Sequence, residues 1–231
     1  MTLANPPDRP DPAIYSQDQI LAMGQVPTWD SPDIVTNNNV PWRLYPELKV
    51  TVRNLSASVA AVNTQVQVAL SGFGIGMPRT PLANQLITLG PSASATLNFP
   101  LTQAALHGEQ SIGTFVELYH PNDAVTINSR GSQVITGVDT ASAGRHLSHL
   151  FPVANPRNAT QEINLHIFSN SLAAAISPAT HVFAPFEQID VGLTVTVPTD
   201  LHNTTEYVTV TASGADGGLI GGITLAVFVN D

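Results

Sequence analysis

The stretch TASGADGGLIGGITLAVFVND, residues 211–231, decides the fold. Its glycines, Gly214, Gly217, Gly218, Gly221 and Gly222, either cradle a phosphate or turn one strand into the next. A phosphate cradle needs a strand, then glycines, then the N-terminus of a helix whose free N–H groups face the anion. Here alternating residues stand on both sides, Tyr207–Ala212 before the glycines and Gly222–Val229 after them. Period two sends successive side chains to opposite faces, the mark of a strand with one buried side. Ala215-Asp216-Gly217-Gly218 tolerates the positive φ of a hairpin turn, and Gly221-Gly222 permits a bulge or a close backbone approach. The stretch reads as a hairpin, and the chain as all-β.

The same alternation runs upstream. In Leu48–Arg53, residues 48, 50 and 52 are apolar while Lys49, Thr51 and Arg53 face away. Gln65–Leu70 turns 66, 68 and 70 inward, and Ala93–Phe99 puts Ser94, Thr96 and Asn98 outward. Thr114–Tyr119, Ala124–Ile127 and Ser132–Ile135 follow, then Glu162–Ile167 and Val191–Val197. Turn clusters separate them: Asn54-Leu-Ser56, Gly90-Pro-Ser92, His120-Pro-Asn-Asp123 and Asn128-Ser-Arg-Gly131. Short strands at such intervals predict β-sandwiches. The small, polar run 137–144 divides two such series. The predicted order is therefore two tandem Ig-like antiparallel β-sandwiches, over 31–136 and 145–231, joined by a linker at 137–144. A single sandwich of many strands is the alternative.

Residues 1–30 differ. Pro6, Pro7, Pro10, Pro12 and Pro27 fix φ and remove donors, which predicts an extended arm. Ser16 with Gln19 forms a capping-box pattern before Ile20 and Leu21, and Gly24 can end the short helix. Ile14, Tyr15, Ile20, Leu21 and Trp29 give the arm something to bury, on its own domain or on a neighbour; the other reading is a free tail.

With the strands laid out, LKVTVRNLSASVAAVNTQVQVAL (48–70), LITLGPSASATLNFPL (86–101) and GTFVELYHPNDAVTINSRGSQVI (113–135) resemble bacterial Ig-like domains of the CARDB, or cell-adhesion-related, type. SPDIV (31–35) fits their first edge strand. The resemblance covers residues 31–136, and the second half is similar to a generic Ig-like sandwich. It implies a non-catalytic spacer, adhesive unit or assembly part, with no shared active site.

Composition narrows the function further. The net charge is −9, and Lys49 is the only lysine among 8 basic residues, so no clustered cations serve a nucleic acid or an anionic membrane. No apolar run reaches the ~20 residues of a spanning helix. MTLANPPDRPDP lacks the basic and apolar regions of a secretory leader, while a surface of Thr, Asn and Ser hints at an extracellular or particle-bound protein. The absence of cysteine excludes disulfides and thiolate metal sites.

Candidate sites are each weighed against a structural role. His146 and His149 point to opposite faces if they lie on a strand, and Glu162 with His166 lacks a third ligand, so neither pair predicts zinc. Asn122, Asp123 and Asn128 could offer calcium oxygens, yet such residues also stabilise turns by bonding their own backbone; Asp216 reads the same way. No G-x-S-x-G elbow occurs. Trp29, Trp42 and Tyr45 could form a sugar- or peptide-binding platform, or seal a sandwich. Asn54, Asn158 and Asn203 head N-x-S/T sequons in predicted turns.

The expectation is a non-catalytic structural or assembly subunit of an extracellular filament, surface layer or particle, without metal or cofactor. It would associate through sheet edges and the arm with copies of itself or a larger assembly. A carbohydrate- or peptide-binding adhesion module and a virion-associated decoration protein are the alternatives. No nucleic acid or membrane insertion is expected.

Overall fold

The computed structural model describes residues 8–39, 42–102 and 111–230, leaving aside the side chains of 37–39, 42–44 and 138–141. The chain order is β1 (Pro12–Ala13), α1 (Gln17–Ala22), β2 (Ile34–Asn39), β3 (Trp42–Asn54), β4 (Ala61–Gly72), β5 (Thr80–Leu89), β6 (Ser94–Pro100), β7 (Ile112–Tyr119), a 3-10 turn (Thr126–Asn128), β8 (Arg130–Ser142), β9 (His146–Ala154), β10 (Gln161–Ser169), β11 (Ala173–Ser177), β12 (Thr180–Phe183), β13 (Gln188–Thr196), β14 (Thr204–Gly214) and β15 (Leu219–Asn230). The fold is all-β and built of Ig-like sandwiches. In the arm, Ser16 caps α1, its Oγ accepting from the Gln19 N–H at 3.4 Å.

In the first sandwich β1 and β2 lie in line along one edge of β3, and β6 along the other. Facing this layer run β5, β4, β7 and β8. Leu48, Val50, Val52, Val66, Val68 and Val116 fill the space between, the inward positions that the alternation marks. In the second sandwich β11-β13-β9 faces β12-β10-β14-β15 around Phe151, Val191, Leu193, Val208 and Leu225.

The pairing order repeats. β3 pairs β6, β4 pairs β5 and β7, and β7 pairs β8; likewise β9 pairs β13, β10 pairs β12 and β14, and β14 pairs β15. The repeat extends to single atoms. Asn54 Nδ2 donates to the carbonyls of Val59 (2.8 Å) and Gly90 (3.0 Å), and its Oδ1 accepts from Ser56 N–H at 3.2 Å. Asn155 Nδ2 donates to Ala159 and Ala184, both at 2.8 Å, and its Oδ1 accepts from Arg157 N–H at 2.9 Å. Each asparagine ties the turn after its strand to a proline turn, Gly90-Pro91-Ser92-Ala93 or Ala184-Pro185-Phe186-Glu187.

The halves share one eight-stranded sheet, because β8 pairs β15 in parallel: Ile135 lies opposite Thr224, and Gly137 opposite Ala226. The run 137–144, expected as a linker, is therefore the end of β8 and its turn into β9, where Gly144 N–H donates to Val197 O at 3.0 Å. Small polar residues suit a strand held by its backbone ladder. On β7, Val116 enters the first core while Phe115 packs against the second. Neighbours on a strand point opposite ways, so the two cores occupy opposite faces of the sheet. The loop between β4 and β5 reinforces the junction. Ile75 N–H donates to Pro152 O (3.0 Å), Ala154 N–H donates to Ile75 O (2.9 Å), and the Ile75 side chain is buried in the second core.

The glycine-rich stretch is the hairpin joining β14 and β15. Gly217 N–H donates to Gly214 O and Gly214 N–H to Gly218 O, both at 2.9 Å, with Gly217 at φ +77°. The register shifts beside Ala212, a bulge, and a Cβ on Gly222 would stand 2.6 Å from the Trp29 ring and 2.5 Å from the Val210 carbonyl. Both expected uses of glycine are present. Ala124–Ile127, expected as a strand, instead enters the 3-10 turn. Asp123 Oδ1 accepts from Val125 N–H at 3.1 Å, and Ser129 Oγ donates to Thr126 O at 2.7 Å, so local bonds capture the segment.

Candidate functional site

Trp29 is 1% exposed and cannot be a binding platform. Its ring lies over Gly222, its N–H donates to Thr224 Oγ1 at 3.0 Å, and its carbonyl accepts from Val134 N–H at 3.0 Å. Trp29 thus pins the arm where β8 and β15 meet. Tyr45 is exposed on β3, and the Trp42 side chain lies outside the described residues. With Trp29 facing inward, no platform of all three exists.

From Asp8 on, the rest of the arm also packs against its own chain. Ile14 is buried in the first core, and Ile20 and Leu21 are half-buried. Tyr15 N–H donates to Asp33 Oδ2 at 2.6 Å, and its hydroxyl accepts from Thr28 N–H at 3.0 Å; burial pushes the phenol pKa up. Gln17 clasps Ser132 from both sides, donating to its carbonyl at 2.7 Å and accepting from its N–H at 3.1 Å. A half-buried ion pair fastens the arm's end, Arg53 Nη1 to Asp33 Oδ2 at 2.5 Å.

Asn54 is buried and fully engaged, so it is no glycan acceptor in the folded chain; Asn158 and Asn203 are exposed. His146 and His149 lie on β9, the first exposed and the second turned inward with its ring edge-on to Phe73 at 6.0 Å. Glu162 and His166 on β10 are exposed and bond elsewhere, to Asn164 and Ser213. Asp123 and Asn128 serve the arm: Arg9 donates to the Asp123 carbonyl, and Asn128 Nδ2 donates to Asp11 at 2.8 Å. Burial raises the Asp123 pKa. Asp216 accepts from Gly218 N–H at 3.0 Å, a turn bond. Among the described residues no three His, Asp or Glu side chains gather as metal ligands.

The structure gathers a different set. The outer face of β5-β4-β7, turned away from the first core, forms a groove of about 540 Å³ along Gln67, Ala69, Pro81, Asn84, Phe115 and Glu117. The Arg79 guanidinium lies 3.9 Å from the Phe115 ring centroid and 3.5 Å from Glu117 Oε1. Burial pushes the Arg79 pKa down, Glu117 opposes the shift and Arg130 adds to it. A smaller hollow of about 140 Å³ shares Arg79, Phe115 and Glu117 and continues between α1 and the β14–β15 hairpin, where Arg130 reaches Asp18 at 3.3 Å. An apolar floor with an arginine stacked on an aromatic can seat an aromatic or aliphatic side chain and fix its orientation through polar rims. One lip is β5, the edge of the eight-stranded sheet, with Leu86 63% exposed and in register through Gln65 with exposed Tyr119.

Sequence reasoning missed Arg79, Phe115 and Glu117. A signal was present in Thr114–Tyr119: with Thr114, Val116 and Leu118 inward, the second face still carries two aromatics, Phe115 and Tyr119, beyond the polar residues that water alone would favour.

No protein-family model matches the chain, and no curated protein does. Among solved structures, a cupredoxin domain of amoB from Nitrosocaldus yellowstonii aligns with 12% identity over 37% of this chain and 56% of that one, TM-score 0.30. A PapD-like domain of human CEP192 aligns with 12% identity over 42% and 81%, TM-score 0.32. Escherichia coli alpha-2-macroglobulin aligns with 11% identity over 99% of this chain and 22% of that one, TM-score 0.36.

Proposed function

We propose that this chain is a non-catalytic structural or assembly subunit that binds protein along the β5 edge and the groove beside it. The observation that carries this reading is the edge itself. β5 is 10 residues long, TPLANQLITL, and contains no charged residue. Free edges present unpaired N–H and C=O groups that lone proteins blunt with lysine, proline or bulges. Pro81 with a register shift near Ala69 guards the first residues and a second shift between Ala61 and Thr64 the last, which leaves Ala83 to Ile87, unpaired on the outer side among the described residues, to accept a further strand.

The resemblance of residues 31–136 to adhesion-related modules supports the same role, and the surface poor in lysine supports an address outside the cell or on a particle, a virion included. Sedimentation velocity across a concentration series tests it. Association is expected in the wild type, weakened about tenfold or more by Leu86→Lys, since a charge on the edge opposes strand addition. A wild-type chain that stays monomeric at the highest soluble concentration overturns the proposal.

A further inference from the structure

The repeat exposes one residue the fold does not require. In the first sandwich the proline turn is Gly90-Pro91-Ser92-Ala93, with Ser92 at φ +54° and its N–H donating to Ser56 O at 2.9 Å. In the second it is Ala184-Pro185-Phe186-Glu187, with Phe186 at φ +57° and its N–H donating to Arg157 O at 3.3 Å. The same bonds form in both, so a serine suffices for the turn. A bulky side chain at positive φ is strained, and such strain collects where function retains it. Phe186 is also 65% exposed. A strained aromatic is thus held out into solvent at one end of the second sandwich.

Next to it in the chain is Glu187, whose carboxylate accepts from the Ala184 N–H at 2.6 Å, and Arg157, whose carbonyl takes the Phe186 N–H, pairs through its guanidinium with Asp216 at 3.9 Å. The groove on the first sandwich carries the converse features: an apolar floor ending at Phe115 and a rim with Arg79 and Glu117. Phe186 does not line that groove within its own chain. We propose that Phe186 of one copy seats in the Phe115 groove of the next, with Arg79 facing the carboxylates beside the knob and Glu117 facing Arg157. This rests on the assembly role above and names its partner as a second copy of this chain. Knob and groove are distinct surfaces on different sandwiches, and a single knob-in-groove contact is heterologous: each added copy then leaves one knob and one groove free, and the assembly grows head to tail.

Sedimentation velocity with two variants tests the pairing. Phe186→Ser installs the residue that the first sandwich uses at the equivalent turn, and Ala69→Trp fills the groove floor; Asn84→Trp, at an exposed position, is used if Ala69→Trp lowers the melting temperature. Each variant alone is expected to stay monomeric where the wild type associates, with its dissociation constant raised about thirtyfold or more, as for an aromatic interface anchor. Mixed in equal amounts, the two variants retain one intact knob and one intact groove, and should form dimers and nothing larger. Wild-type association untouched by Phe186→Ser, or a mixture that remains monomeric, overturns the pairing while leaving the assembly role standing. A wild type that never associates overturns both.

Discussion

Asn54 and Asn155 show how one side chain can hold several turns at once. Alanine at either position strips buried carbonyls and N–H groups of their partners, and each such loss costs about 1–3 kcal/mol. Asn54→Ala and Asn155→Ala should each lower the unfolding free energy by about 2–3 kcal/mol, read from urea titrations. This role was hidden in the sequence, where Asn54 presented itself as a sequon. Two of its partners, Gly90 and Asp11, whose N–H donates to Oδ1 at 3.1 Å, are not near in the chain. His149 makes a second residue-scale case. Burial lowers its pKa, so the folded chain resists a proton that the unfolded chain takes up near pH 6.5. In that window the unfolded state binds more protons, and stability therefore rises with pH and falls on acidification below about pH 6.5. Melting curves from pH 7.5 to 5 should show this slope, and His149→Phe should flatten it.

Elements were legible where one face is buried and the other wet. β4, β10 and β13 show this alternation and α1 carries its own cap, while the β14–β15 hairpin alternates in sequence although Val208–Ala212 and Gly222–Val227 are buried on both faces at the seam. β9 was not found, and β5 only at its end, Leu86–Leu89, through the resemblance of the 86–101 stretch, for different reasons. β5 is an edge with partly exposed residues on both sides, so its inward positions do not stand out. β9, HLSHLFPVA, is apolar on its outer side as well, where Leu150 is exposed. The loop between β4 and β5 was invisible as a structural element, because Ile75 acts against β9 and β15 of the other sandwich, far from it in sequence. Ile75→Ala should cost about 2–5 kcal/mol, the range for truncating a buried isoleucine. Limited proteolysis should then cut within residues 73–78 faster than in the wild type.

At the scale of the molecule, composition and periodicity announced sandwiches, while their fusion through β8 and β15 had no local sign. Parallel pairing between strands so far apart leaves no trace in either stretch. One sheet through both halves implies that neither melts alone, and calorimetry should give a single transition whose van't Hoff and calorimetric enthalpies agree. Trp29 is the arm's main anchor at that seam. Trp29→Ala should cost about 3–5 kcal/mol and lower the Tm of the whole transition by about 10 °C, rather than release a local melting step.

The parallel run of β8 and β15 also gives the chain a mechanical character. β15 is the last strand, held by β14 on one side and β8 on the other. Tension applied at its C-terminal end acts lengthwise, so the ladder bonds on both flanks are strained together in shear instead of being unzipped singly. A force that reaches the chain through β15 would thus meet its toughest direction.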